Sequence, residues 1–132
     1  MTPNFPLAEL LRSPTAQFHS VSNLPGMDEL NALMDLAVYL LQPLRNAAGC
    51  PVTVTSGYRS PQLNKIVNGA KNSQHMKGQA ADCTAPCGAD RLLDILQSLN
   101  IPFDQAILYR KRNFLHLSYN PSNNRRQIII KK

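Results

Sequence analysis

The 132-residue sequence contains no apolar run approaching the ~20 residues needed to span a membrane. Its opening, Met1-Thr2-Pro3-Asn4-Phe5-Pro6, lacks the basic start and apolar stretch of a secretory leader. The expectation is a soluble protein made in the cytoplasm, its compartment of action left open: it either acts there or leaves, for a cell wall, by lysis or another route. The chain has three cysteines, Cys50, Cys83 and Cys87, and an odd number argues against a complete disulfide framework. Cys83 and Cys87 have the spacing of a metal pair, but they read better as small core residues. No acid follows Asp104, although Arg110, Lys111, Arg112, Arg125, Arg126, Lys131 and Lys132 all do. This end carries much of the net charge of +6. It has no interleaved aromatic residues to stack bases and no nucleic-acid motif, so a solvated basic face is favoured over a nucleic-acid partner. No repeat and no low-complexity linker divides the chain.

A single domain is therefore expected over residues 1–132, a size typical of one core. Residues 1–26 are rich in Pro, Ser and Asn and read as an irregular segment. Within it Leu7–Leu11 suits a short helix and Ser13–Ala16 a turn. Pro25-Gly26 is a break. Met27–Ala48 then repeats apolar residues at helical spacing, with Asp28 and Glu29 in the first turn and Gly49 as a stop. Pro43 conflicts with a single helix, because it has no N–H to donate. Residues 51–55 alternate as a strand. Pro61–Val67 suits a short helix, residues 72–78 a loop, Gln79–Thr84 a strand and Ala89–Leu99 an amphipathic helix. Phe103–Tyr109 and Phe114–Tyr119 flank Arg110-Lys111-Arg112 as a hairpin, and residues 127–130 suit an edge strand. The order predicts an α+β fold, a small and mostly antiparallel sheet flanked by helices, in a monomer.

The segment Ser73-Gln74-His75-Met76-Lys77-Gly78-Gln79-Ala80-Ala81-Asp82 carries the clearest chemistry. A neutral imidazole and a carboxylate are ordinary zinc ligands. A seven-residue separation lets the chain leave a loop, turn at Gly78 close to the metal and return along a strand. His116, in the alternating stretch Phe114–Tyr119, is the candidate third ligand. Three protein ligands would leave a fourth position for water or substrate, as in catalytic rather than structural zinc sites. Spacing alone leaves the convergence of the three open; each could instead be a packing or surface residue, which is the reading given to His19.

Ser56-Gly57-Tyr58-Arg59-Ser60, Asn64, Gly69-Ala70, Ser73-Gln74-His75 through Asp82, and His116 together resemble the zinc D-alanyl-D-alanine carboxypeptidase family. That family has the hedgehog-type peptidase fold and includes D-Ala-D-Ala dipeptidases and phage endolysins. The matching motifs run from Ser56 to Tyr119. The resemblance implies a zinc peptidase, with one ion held by His75, Asp82 and His116, hydrolysing amide bonds in peptidoglycan stem peptides. It could act as a D,D-carboxypeptidase or as an endolysin-type endopeptidase. It also implies that Arg59 meets the substrate carbonyl or developing oxyanion, where a fixed guanidinium offers two donors. Ser73 would bind near the ligand histidine or the substrate, with a turn cap as the alternative. Tyr58 and Asn64 would hold the loop, and Gln105 could line the cleft.

The sequence departs from that family at one chemical step. Members carry a Glu or Asp shortly before the last histidine to take a proton from the attacking water. Here Asn113, Phe114 and Leu115 precede His116. Asp104 is the nearest upstream acid and the candidate catalytic base, with a cap at the strand start as its alternative. Glu9 and Glu29 are acids that could reach the site from elsewhere. The remaining alternative is a zinc-bearing module that binds peptidoglycan with weak or no turnover.

Overall fold

The computed structural model describes residues 2–132; Met1, the first residue of the expected N-terminal segment, lies outside them. The fold is α+β. Helices α1 (Leu7–Leu11), α2 (Pro14–Phe18), α3 (Met27–Leu36) and α4 (Gln42–Ala48) precede strand β1 (Thr53–Ser56) and helix α5 (Pro61–Ile66). A 3-10 turn (Gln74–Lys77), β2 (Ala80–Thr84), α6 (Ala89–Ser98), β3 (Gln105–Tyr109), β4 (Phe114–Ser118) and β5 (Gln127–Lys131) follow. The sheet has the order β1-β2-β4-β3-β5. All its pairings are antiparallel except β3 with β5. The expected hairpin is β3–β4, and the expected last edge strand is present but lies parallel to β3.

Two local readings of the sequence need correction. Residues 13–16 are not a turn but the start of α2, and the N-terminal segment is accordingly less irregular than its composition suggests. Ser13 caps α2, its hydroxyl accepting from the Ala16 N–H at 3.1 Å, and Pro14 occupies the first helical position. Those are ordinary helix-start signals. The second correction concerns residues 72–78, where a 3-10 turn replaces the loop.

The conflict at Pro43 is resolved within a nearly continuous rod. Residues Ala37–Leu41, between α3 and α4, form a π turn in which the Gln42 N–H donates to the Ala37 carbonyl. A proline ring normally presses on the carbonyl four residues earlier, here that of Tyr39. The wider turn relieves that contact without breaking the rod. Leu33, Leu36, Leu40, Leu41 and Leu44 remain fully buried along it.

Alternation along the strands separates core from site. Ala81, Cys83, Leu115, Leu117, Ala106 and Leu108 point into the core shared with the long helical rod and α6. Their neighbours Asp82, His116, Gln105, Ile107 and Tyr109 therefore occupy the opposite face. Among the described residues no helix is long and apolar enough to cross a membrane.

Gly78 ends the 3-10 turn at φ 72°, which favours glycine. A Cβ there would lie 2.4 Å from the Glu29 carbonyl oxygen. The close backbone approach expected near the metal is thus an approach to α3 instead. Gly78→Ala should lower unfolding stability by more than about 1 kcal/mol, measured as a shift of the urea midpoint; an unchanged midpoint would contradict this packing.

Candidate metal centre

Asp82 and His116 are direct partners across β2 and β4. Residues so paired hold their Cβ atoms about 4.5–5.5 Å apart on one face. His116 Nδ1 stands 2.9 Å from Asp82 Oδ1. His75 reaches the same point from the 3-10 turn, its Nε2 lying 3.4 Å from Asp82 Oδ1. One donor atom from each of the three residues falls within 4.8 Å of the others. His19 stays apart, at the end of α2 against Phe18.

The imidazole of His75 is buried, and its Nδ1 lies 2.7 Å from the Gly57 carbonyl oxygen. A carbonyl can only accept, so Nδ1 carries the proton and Nε2 of the neutral ring presents a lone pair. Nε2 is buried and has no hydrogen-bond partner. A lone pair facing a carboxylate oxygen at 3.4 Å is repulsive unless a proton or a cation stands between them. With His116 directed at the same carboxylate, two nitrogens and one oxygen surround a common point. Such a donor set fits a divalent ion of the zinc type. Burial on its own would raise the Asp82 carboxyl, but the hydrogen bond from His116 outweighs it and holds it well below the usual carboxylate range.

The cluster lies in a cleft of about 790 Å³ that Arg59, Ser73, Gln105 and Tyr109 also line. Arg59 Nη1 donates to Asn64 Oδ1 at 3.1 Å, and Asn64 Nδ2 donates to the Ala70 carbonyl. Gly69 makes room for this pair, since a Cβ there would lie 2.0 Å from Asn64 Oδ1 and 2.6 Å from Arg59 Nη1. Arg59 Nε is buried with no partner. Partial burial lowers the Arg59 pKa, while Asp82 and Tyr109 oppose that shift. Tyr58 is buried in the core and its N–H donates to the Leu10 carbonyl. The Ser73 hydroxyl accepts from the His75 N–H at 3.2 Å, capping the turn that presents His75. Gln105 Nε2 donates to Gln127 Oε1 at 2.8 Å.

Asp104 lines the cleft too, but its carboxylate is engaged on both oxygens. Arg125 Nε donates to Oδ1 at 2.8 Å and Nη2 to Oδ2 at 3.1 Å. Gln74, beside His75, donates from Nε2 to Oδ2 at 2.9 Å. The Arg125 hydrogen bond is the chief reason the Asp104 pKa is lowered; burial opposes it and Gln74 adds to it. Glu9 and Glu29 do not line this cleft. Glu9 accepts from the Val54 N–H, and Glu29 lies beside Gly78 and Gly26. Gln74, Tyr109, Arg112 and Arg125 also line the cleft, although nothing in the sequence assigns them to the site. A faint signal existed for Arg125: a basic, acid-free tail must find its acid upstream.

A family model described as Peptidase M15 matches residues 3–118. The chain belongs to the peptidase M15 family. It is 48% identical over 56 residues to a zinc D-Ala-D-Ala carboxypeptidase of Streptomyces albus G. The aligned part is 42% of this chain and 21% of that relative, so this M15 chain spans about a fifth of the relative's length.

Because folding favours the ionised Asp104, its folded pKa lies below the unfolded value of about 3.9. Its stabilising effect should be complete above that value and vanish as the pH falls through the lower folded value. Asp104→Asn should therefore lower the urea midpoint at neutral pH, with the gap to the parent closing on acidification. A gap that widens in acid would contradict the ion pair.

Proposed function

We propose that this chain is a zinc-dependent peptidase acting on an amide bond in peptidoglycan stem peptides. The observation that carries the reading is the convergence of His75, Asp82 and His116 at a buried, unpartnered Nε2 inside a cleft. Family membership and the named relative support the chemistry and the substrate class. His75, Asp82 and His116 would hold one zinc ion. Zinc in such a site polarises a carbonyl and lowers the pKa of water towards about 7. Gly57 fixes the His75 tautomer, and Ser73 fixes the turn beneath it. Arg59, steadied by Asn64, directs its guanidinium at the developing oxyanion or the substrate carboxylate. Gln105 offers its amide to the peptide backbone from the strand beside His116.

Asp104 suits an anchor better than the water-activating base expected from the sequence. To serve as the base it would have to leave Arg125 and Gln74, and a carboxyl held low binds protons poorly. Among the described residues, the carboxylates lining the cleft are Asp82 and Asp104, and both are engaged. This favours, as a second reading, a zinc-bearing module that binds muropeptides with little turnover. Loss of a general base typically lowers rate on the order of 10²–10⁴-fold.

Purified protein should bind about one zinc per chain by elemental analysis, and His116→Ala should abolish both the metal and the release of wall-peptide fragments. Full activity in His116→Ala would sink the peptidase reading. Arg59→Ala should reduce kcat on the order of 10²–10³-fold while zinc content is retained. Muropeptide binding by calorimetry with no product by mass spectrometry, from acid to alkaline pH, would decide for the binding module.

A further inference from the structure

Cys50 and Cys87 lie 37 positions apart, yet their sulfurs are 3.2 Å from one another. Cys50 follows Gly49 in the link between α4 and β1, and Cys87 sits in the turn between β2 and α6. Cys87 is exposed and Cys50 half-buried, which corrects the expectation that Cys87 is a small core residue. Cys83 alone matches that expectation, and burial pushes its thiol up, away from reactivity. The difference follows from position. Cys83 falls on the core-facing register of β2, whereas Cys87 falls in the turn after it.

We propose that Cys50 and Cys87 form an intramolecular disulfide on exposure to a small-molecule disulfide, leaving Cys83 as the free thiol. A disulfide needs its sulfurs at about 2.05 Å, so closing the contact requires a movement of about 1 Å. Both partners lie in connecting segments, outside any helix or strand. In the first step the thiolate of one cysteine attacks the small disulfide, forming a mixed disulfide and releasing one small thiol. The second thiolate then attacks the protein sulfur of that intermediate, releasing the other small thiol. Two protein thiols are oxidised and one small disulfide is reduced to two thiols. Burial and the contact with Cys50 push the Cys87 thiol up, and Arg91 opposes that only in part, so the exchange runs faster as the pH rises.

The covalent tie would close a segment that contains β1, Arg59, Ser73, His75 and Asp82. Neither cysteine lines the cleft. The crosslink therefore restricts unfolding of the segment carrying most of the candidate site without changing the site itself. Such a tie acts mainly on the unfolded chain, and more for longer loops. It would matter in an oxidising space, where the chain would otherwise lose His75 and Asp82 together on local opening.

The full chain is equilibrated with oxidised glutathione, denatured and alkylated. The expected result is one alkylated thiol, at Cys83, an intact mass before alkylation lower by two hydrogens than that of the reduced chain, and a non-reduced peptide map joining the Cys50 and Cys87 peptides. The Tm should rise by about 10 °C on oxidation and fall back with dithiothreitol. Cys50→Ser and Cys87→Ser, each at an exposed or half-exposed position, should fold and show no redox-dependent Tm. Three alkylated thiols, a persistent glutathione adduct on Cys87, a bridge to Cys83, or a crosslink that leaves the Tm unchanged each overturns the proposal.

Discussion

Asp82 faces His116 across two central strands, and His75 closes on the same carboxylate from a 3-10 turn. A partly buried carboxylate is costly unless charge or hydrogen bonds compensate it. The His116 imidazole and the nearby Arg59 guanidinium supply that compensation here, and a cation between Asp82 and His75 would complete it. The register of β2 decides whether they can. Ala81 and Cys83 are locked into the core, so Asp82 must emerge on the other face. A slip of one residue would bury the carboxylate among leucines. Core packing and site geometry are in this sense one constraint.

Hydrogen bonds to the backbone and between side chains hold the loops around the cluster, with Tyr58 packed into the core beneath. The Gly57 carbonyl accepts from His75, and the Arg59 N–H donates to the His75 carbonyl. Asn64 grips both Arg59 and the Ala70 carbonyl at a position where only a glycine, Gly69, leaves space. This explains why the stretch from Ser56 to Asp82 reads as a dense motif. Gly57, Asn64, Gly69, Ser73 and Gly78 in it each answer to a local steric or hydrogen-bonding demand.

The basic C-terminal end has a structural use beyond the region matched to the family, which stops at residue 118. Arg125 clamps Asp104, the Arg126 N–H donates to the Phe103 carbonyl, and the Gln127 N–H donates to the Asp104 carbonyl. These bonds set β5 alongside β3. Gln74 carries the same network back to the turn bearing His75. The tail, the cleft wall and the metal-site turn are thereby mechanically joined, and Asp104 is drawn into that joint.

The sequence alone determined the elements with strong local signals. The apolar period of Met27–Ala48, the alternation of Phe114–Tyr119 and the motif around His75 and Asp82 each depend on neighbours within a turn or a strand. The Ser13 cap and Pro14 at the first helical position are local signals of the same kind, sufficient for a helix where composition alone suggests a turn. Tertiary structure alone decided the π turn that accommodates Pro43, the parallel placement of β5, the capture of Asp104 by Arg125 and the meeting of Cys50 with Cys87. The physical reason is range. Periodicity and capping are fixed by contacts a few residues apart, whereas these four outcomes depend on which surfaces pack together once the whole core has closed.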